Sequence, residues 1–193
     1  MSARPREFKD TSVIDAAMEV FWEHGYEGSS TEELCSRTGL GRGSLYNAFG
    51  SKHALYEKAL GRYQELGIQG QVEILEQPGP VKDRLRALMD WAIDQDFNGD
   101  QRRGCLAINA AIELGGKDAA VARLVGGHVG RLERALCHVI EAGQRTGEIK
   151  AQRPALELAR SFLSSYYGLR VLSKVVDDRG VLDDVVQGTL AAL

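Results

Sequence analysis

Residues 30–52, STEELCSRTGLGRGSLYNAFGSK, decide the fold class of this 193-residue chain. Ser30 and Glu33 have the spacing of a capping box, in which each side chain accepts a hydrogen bond from the other residue's backbone N–H, so they predict the start of a short helix. Gly39 predicts the end of that helix, because glycine enters the left-handed region at little cost. A second short helix is predicted over residues 42–49.

Two short helices joined by a tight turn, with a third helix following at once, form the layout of a helix-turn-helix. In that motif the second helix lies in the major groove of DNA. Leu45 and Phe49 lie four residues apart and are expected to face inward. Arg42 suits a guanine edge or a phosphate, Asn47 suits adenine, and Gly43 allows the backbone to approach a duplex closely. From spacing alone, DNA binding and a plain packing unit of an all-α protein remain equally open.

The segment resembles the N-terminal domain of the TetR family of transcriptional regulators. The resemblance is carried by AAMEVFWEHGYEGSS, by the following TEELCSRTGLGRGSLYNAFGSKHALYEKAL, and above all by the run from Gly43 to Lys52. It implies that six residues contact DNA, mostly at phosphates: Thr31, Arg42, Ser44, Tyr46, Asn47 and Lys52. Arg42, Gly43 and Asn47 are the residues expected nearest the base edges.

Three positions depart from the family pattern. Gly41 stands where the family often has serine, which weakens the expected cap of the second helix. Asn47 and Ala48 replace an aromatic residue and a histidine that are common there. These departures bear on the operator sequence and leave the expected fold unchanged.

The charge of the chain is acidic overall, at −3, and residues 1–60 hold seven Lys and Arg against nine Asp and Glu. A local basic face nevertheless binds phosphates, which predicts salt-dependent DNA binding. Lys52 stands at a helix start, where a cation opposes the helix dipole, so an anionic partner is the better explanation for it. Arg4 and Arg6 lie in an arm, residues 1–8, predicted to be flexible. The arm is open to two interpretations, minor-groove contact and a solvated end.

Several classes of protein are not favoured by the sequence. The three cysteines, Cys35, Cys105 and Cys137, form neither a disulfide framework nor a zinc pattern, which favours a reducing cytoplasm. No apolar run approaches the roughly 18 residues of a membrane helix, and the N-terminus has no secretory segment. The four histidines are scattered, and no phosphate loop, HExxH or G-x-S-x-G motif occurs. We therefore expect no enzyme, no cofactor, no metal site and no membrane partner.

Helical spacing of apolar residues continues along the chain, without sustained β alternation. The expected fold is all-α, with an N-terminal three-helix helix-turn-helix DNA-binding domain over residues 1–52. A C-terminal helical domain for effector binding and dimerisation is expected over residues 53–193. The apolar stretch GCLAINAAIEL, residues 104–114, is expected to be deeply buried.

The last two helices bear on assembly. The helix predicted from Pro154 to Val176 is apolar on more than one face, so one face can cover its own domain while another needs a partner. In the TetR family the final two helices form a homodimer through a four-helix bundle, and this pair resembles that arrangement. A dimer would place two recognition helices about 34–36 Å apart, as a palindromic operator requires. The alternative is the core of a monomer.

The resemblance also implies a ligand pocket within the central helices. A small-molecule effector would shift the spacing of the two DNA-binding heads by preferring the conformation that cannot span the operator. Candidate lining residues combine apolar walls with polar groups, as small-molecule sites usually do: Tyr63, Leu88, Trp91, Asn109, Ile112 and Tyr166. Each of them also suits an ordinary helical core. The expected function is a ligand-responsive transcriptional regulator, most often a repressor in this family.

Two alternative functions remain. Cys105 follows Arg102 and Arg103 near a predicted helix start, where cations and the helix N-terminus favour the reactive thiolate, so it is a candidate sensor of oxidants or electrophiles. It equally suits a small buried apolar position. The second alternative is a helical ligand-binding or adaptor protein that does not bind DNA. Alanine at Arg42 and Lys52 separates these classes, because only a DNA-binding regulator loses operator affinity.

Overall fold

The computed structural model describes residues 4–97 and 102–193, with side chains from residue 10 onward. Every regular element within these residues is an α-helix, which confirms the predicted all-α fold. The helices in chain order are α1 (Arg4–Gly28), α2 (Thr31–Thr38), α3 (Arg42–Phe49), α4 (Lys52–Leu75), α5 (Val81–Phe97), α6 (Leu106–Leu114), α7 (Ala119–Thr146), α8 (Ala155–Leu172) and α9 (Arg179–Ala191). In this part of the chain no helix is long and apolar enough to cross a membrane.

The first helix reaches further toward the N-terminus than the sequence indicates. Its backbone begins at Arg4, within residues 1–8, where we predict a flexible arm. The predicted DNA contacts of Arg4 and Arg6 lie outside the residues whose side chains are described. The regular helix ends at Gly25, where φ is 73° and ψ is −179°. A residue with a Cβ would be strained in this conformation.

The chain divides into two compact units, of which the first comprises Met1–Leu66 and Asn109–Gly126. This unit extends past the domain boundary predicted after residue 52, because the first half of α4 packs against α1. The rings of Phe21 and Tyr56 meet edge to face there, with centroids 4.9 Å apart. Fully buried apolar side chains from the four N-terminal helices form its core: Ala17, Val20, Phe21, Leu34, Leu45, Leu55 and Leu60.

The second compact unit comprises Gly67–Ile108 and Gly127–Leu193. The apolar face of α7 is buried within it at Leu132, Leu136 and Ile140. One apolar face of α8 is buried there too, through Phe162, Leu163, Tyr166 and Leu169. These residues belong to one continuous hydrophobic core with α5 and α9, which excludes water from a large apolar surface and stabilises the unit.

The prediction that residues 104–114 are buried throughout is wrong at Ile112. Ala107, Ala110 and Leu114 are buried, whereas the side chain of Ile112 is 73% exposed. The cause is helical geometry, because α6 buries one face only. Ala110 and Leu114 lie on that buried face, and Ile112 lies on the opposite face.

Candidate nucleic-acid interface

The first helix of the predicted motif has the ends that its sequence indicates. The Ser30 hydroxyl accepts the backbone N–H of Glu33 at 3.1 Å, and Gly39 at the C-terminus has φ 69°. The reciprocal half of the capping box differs from the prediction, because the Glu33 carboxylate lies 2.8 Å from His24 Nε2. Leu34 is fully buried and fixes α2 to the core of its unit.

The second helix, α3, presents one face to the core and the other to solvent. Leu45 and Phe49 are buried, as predicted. The exposed positions include the predicted DNA-contacting residues Arg42, Gly43, Ser44 and Asn47. Gly41 occupies the N-cap without a side-chain hydrogen bond. The structure therefore brings these four residues together on one exposed helical surface.

Tyr46 is oriented by its neighbours. Its hydroxyl lies 2.8 Å from the Thr31 hydroxyl, so the first residue of α2 is hydrogen-bonded to the middle of α3. The guanidinium carbon of Arg42 lies 5.9 Å from the centre of the Tyr46 ring, within the range of a cation–π contact. These two contacts thus hold the polar groups of Thr31, Tyr46 and Arg42 in fixed positions.

Lys52 has a partner inside the protein that the sequence does not indicate. Its ammonium nitrogen lies 4.6 Å from the centre of the Tyr26 ring, a favourable cation–π contact. Ser51 caps α4, because its hydroxyl accepts the backbone N–H of Ala54 at 3.0 Å. The ring of Tyr26 therefore holds Lys52 at the start of α4, immediately after the exposed face of α3.

The two arginines of the motif differ in their pairing. Arg37 in α2 donates two hydrogen bonds to the Glu23 carboxylate, at 3.1 and 3.2 Å. Arg42 in α3 has no ion pair within the described residues and is exposed. The positive charge of Arg42 is therefore available to an external anion.

Three of the six candidate ligand-binding residues lie in the first compact unit. Tyr63 packs edge to face against Trp22, with ring centroids 4.9 Å apart. Asn109 is half-buried. The side chain of Ile112 is exposed. A ligand-binding role for Tyr63, Asn109 and Ile112 stays a prediction.

The other three candidates lie in the second unit. Leu88 is fully buried, Trp91 is half-buried, and Tyr166 is almost fully buried. The Tyr166 hydroxyl accepts a hydrogen bond from Gln71 Nε2 at 2.9 Å. These residues are integrated in the core, and a role in ligand binding stays a prediction for them as well.

Besides Arg84 Nε, three buried polar atoms of the second unit have no hydrogen-bond partner within the described residues: Gln71 Oε1, His128 Nδ1 and Tyr167 OH. Burial, followed by the charge of Arg131, lowers the pKa of His128 to about 4, so the ring is neutral at pH 7. Burial also raises the pKa of Tyr167, which keeps its proton. Uncharged groups of this kind hydrogen-bond ordered water or a neutral ligand. Sequence reasoning missed them, because single polar residues have no diagnostic spacing.

The two described cavities of the second unit lie away from these residues. One, of about 390 Å³, is lined by Lys82, Glu148 and Lys150 among others. The other, of about 180 Å³, is lined by residues that include Ser161 and Thr189. None of the six candidate ligand-binding residues lines either cavity.

Cys105 is buried just before α6, with 7% of its surface exposed. Its neighbour Gly104 accepts a hydrogen bond from buried Arg170 Nη2 at 2.8 Å. The nearby cation of Arg102 is paired with Asp177, with 2.9 Å between Nη1 and Oδ1. Burial limits access of oxidants to the thiol, so a sensor role for Cys105 stays a prediction.

Apolar side chains are exposed on α8, on α9 and on the segment that connects them. Five large apolar side chains there are between 37% and 72% exposed: Leu156, Val171, Leu172, Val175 and Val181. Exposed apolar residues that are concentrated in one part of a protein often mark a contact with another molecule.

Comparison with known proteins defines the class to which this fold and surface belong. Residues 13–59 match the bacterial regulatory proteins of the tetR family, and residues 71–189 match the tetracyclin repressor-like C-terminal domain. The chain belongs to the TetR family: it is a transcriptional regulator with a DNA-binding helix-turn-helix domain, and not an enzyme. This confirms the resemblance recognised in the sequence.

Individual relatives are similar over almost the whole chain. The uncharacterized regulator YezE of Bacillus subtilis (strain 168) is 33% identical over 191 residues, which cover 98% of each chain. The transcriptional repressor ComR of Escherichia coli (strain K12) is 27% identical over 175 residues, covering 89% of this chain and 82% of ComR. A cysteine variant of the TetR family regulator CifR, solved with 26-bp operator DNA, superimposes with a TM-score of 0.82. CifR is 29% identical, and the match covers 100% of this chain and 98% of CifR.

Proposed function

We propose that this regulator binds double-stranded operator DNA as a homodimer, represses transcription, and is released by a small-molecule effector. The exposed face of α3 carries the proposal, because Arg42, Gly43, Ser44 and Asn47 lie together on it. Arg42 and Asn47 provide the bidentate groups that suit guanine and adenine edges. Gly43 has open space at the position of a Cβ, which suits a close approach of the backbone to a duplex.

Thr31 and Tyr46 remain able to contact phosphates while they are bonded to each other. A hydroxyl has one proton to donate and two lone pairs to accept with. Because only one hydroxyl donates in the 2.8 Å bond between them, the other keeps its proton for a phosphate oxygen. Ser44 and Lys52 add a further hydroxyl and a cation. Phosphate contacts of this kind fix the register of the protein on the duplex, whereas contacts to base edges determine which DNA sequence is bound.

The exposed apolar side chains of α8, α9 and their connection support a homodimer, since a second copy would cover them in an isologous contact. A two-fold symmetric protein suits a palindromic operator with half-sites about 34–36 Å apart. Repression is proposed because relatives such as ComR are repressors. The position of the operator relative to the promoter determines whether binding represses or activates transcription. We expect the protein to act in the cytoplasm, where bacterial DNA lies.

The effector is proposed to bind among the apolar and uncharged polar groups of the second unit. Leu88, Trp91 and Tyr166 would form walls, and Gln71 and His128 would supply hydrogen bonds. Release requires that the effector bind more tightly to the conformation that cannot span both half-sites. Isothermal titration against a panel of hydrophobic compounds tests this step, and the absence of heat with all of them would argue against the pocket.

Footprinting of the purified protein on the DNA upstream of its own gene and neighbouring genes, at several salt concentrations, tests the proposal. We expect a protected, roughly palindromic site and a steep loss of affinity with salt. Alanine at Arg42 and Lys52 should abolish protection without unfolding the protein. Weak, sequence-independent binding would instead favour a helical adaptor, or a preparation already saturated with effector.

A thiol-based response is the second candidate for regulation. It is supported by the position of Cys105 before α6, beside the buried hydrogen bond between Arg170 and Gly104. Oxidation or alkylation of this thiol would enlarge a tightly packed side chain and disturb that segment. If Cys105→Ser still releases DNA on exposure to an electrophile, the candidate is eliminated.

A further inference from the structure

Residues Asn109–Gly126, the end of α6 and the start of α7, belong to the same compact unit as the helix-turn-helix. Glu113 in α6 makes two hydrogen bonds to the end of α1. Its carboxylate accepts the backbone N–H of Tyr26 at 3.0 Å and that of Glu27 at 2.8 Å. These partners are 87 and 86 residues away in the sequence, so no local pattern indicates the contact.

The two N–H groups need an external acceptor because α1 is interrupted at Gly25. With φ at 73°, Gly25 leaves the helical conformation, and the N–H groups after a break have no carbonyl one turn earlier. The approach is close, since a Cβ at Gly25 would lie 2.9 Å from Glu113 Oε2. The bound segment leads directly to Ser30, the N-cap of α2. Glu113 therefore fixes the path by which the chain enters the helix-turn-helix.

A second contact joins α7 to α4. Asp118 Oδ1 caps α7 by accepting the N–H of Ala120 at 2.8 Å, while Oδ2 is hydrogen-bonded to His53 Nε2. His53 follows Lys52 in the first turn of α4, and its Nδ1 lies 2.9 Å from Glu57 Oε1. The hydrogen bond with His53 is the main reason that the pKa of Asp118 lies below its ordinary value. One carboxylate thus joins the start of α7 to the start of α4.

We propose that Glu113 is a positioning residue for DNA contact, with Asp118 in a supporting role. Together they hold the entry to α2 and the start of α4 in the geometry that meets the operator. This inference rests on the proposed operator binding and adds how the DNA-contacting surface is held.

Electrostatics alone predicts the opposite effect of a Glu113 substitution. DNA is a polyanion, so removal of a carboxylate from a DNA-binding unit raises its affinity. Positioning predicts that Glu113→Gln loses affinity, because the carboxamide oxygen accepts one N–H while its NH₂ group opposes the other. Glu113→Ala loses both hydrogen bonds. Glu32→Gln is the matched control, because it removes the same charge at an exposed position of α2.

The test measures operator affinity by fluorescence anisotropy, with the full-length chain and a labelled duplex carrying the site that the wild-type protein protects. Measurements are made at a temperature well below the unfolding midpoint of each variant, so that each variant is folded. We expect Glu113→Gln to weaken binding about tenfold, which corresponds to ~1.4 kcal/mol, and Glu113→Ala to weaken it further. Glu32→Gln should bind as tightly as the wild type or more tightly.

Amide hydrogen exchange at Tyr26 and Glu27 is the second readout. We expect faster exchange at both amides in the Glu113 variants and no change in Glu32→Gln. Wild-type affinity or a gain in affinity for Glu113→Gln would overturn the positioning role, and so would unchanged exchange. If Glu113→Ala does not fold, the glutamine variant decides alone. Failure of the proposed function is distinguishable, because the wild-type protein would then bind no operator.

Discussion

The two helices of the helix-turn-helix are both eight residues long, yet their ends are built differently. α2 has a Ser30 side-chain cap, two acidic residues in its first turn and Arg37 in its last turn, and each of these stabilises a helix. α3 begins at Arg42, its N-cap Gly41 has no side chain to cap it, and the cation of Arg42 opposes its dipole. The helix proposed to meet DNA is thus the one with the weaker local stabilisation. Its uncapped N–H groups and unpaired cation suit a phosphate instead.

The largest difference between the helices should appear when their arginines are removed. We expect Arg42→Ala to weaken operator binding by about 10- to 100-fold, since one good contact to a base is worth about 1–3 kcal/mol. Arg37→Ala should change affinity by less than about threefold, because its solvent-exposed ion pair with Glu23 acts on folding and contributes little even there. Anisotropy titrations at several salt concentrations make the comparison. Equal losses for both variants would remove the functional distinction between α2 and α3.

A methyl group on Gly43 should separate stability from DNA affinity. Alanine is more favourable than glycine within a helix, by up to about 1 kcal/mol in the interior. Gly43 is the second residue of α3, and no atom beyond its own turn of helix lies within 4 Å of its Cβ position. We therefore expect Gly43→Ala to raise the unfolding midpoint in urea while it weakens operator binding about tenfold, near 1.4 kcal/mol.

Gly61→Ala in α4 is the matched control for Gly43→Ala, because its Cβ position is also open. It should raise stability by a similar amount without a loss of operator affinity. If Gly43→Ala binds operator normally, the backbone of α3 does not approach the duplex as closely as we propose.

The bounds of α2 and α3 could be predicted because their determinants are local. The Ser30 hydroxyl bonds a backbone group three residues away, and Gly39 acts through its own φ. Such interactions repeat at fixed spacings and are visible in one sequence. The burial of Leu45 and Phe49 follows from helical periodicity in the same way.

The remaining features of the site depend on residues that meet only after folding. Neither the ring of Tyr26 beside Lys52 nor the carboxylate of Glu113 at the end of α1 has a spacing that a sequence could show. The exposure of Ile112 likewise depends on which face of α6 the fold buries. For the same reason, candidate ligand-binding residues chosen from composition, such as Trp91, remain predictions.

Loss of the α2 cap should cost stability rather than DNA affinity. We expect Ser30→Ala to lower the free energy of unfolding by about 1 kcal/mol, because the N–H of Glu33 loses its acceptor. Operator affinity measured well below the unfolding midpoint should stay within about threefold of wild type, since an N-cap deletion acts on helix stability. Calorimetry and anisotropy provide the two measurements. A large affinity loss at full folding would mean that Ser30 contacts the operator itself.

The smallest effect is expected from adding the missing cap to α3. The backbone of Gly41, at φ −67° and ψ 153°, is accessible to any residue, and no atom lies within 4 Å of its Cβ position. Serine at an N-cap is only a few tenths of a kcal/mol better than glycine, whereas alanine is clearly worse. Gly41→Ser should therefore raise the free energy of unfolding by that small amount, and Gly41→Ala should lower it.

Urea unfolding of the three proteins side by side gives this order, because their m-values should be equal. Operator affinity then distinguishes two explanations of the glycine. If Gly41→Ser binds DNA less tightly although it is more stable, the hydroxyl competes with phosphate for the N–H groups at the start of α3. Unchanged affinity with higher stability would instead show that the glycine serves neither folding nor DNA contact, and the contrast between α2 and α3 would then rest on Arg42 and Gly43.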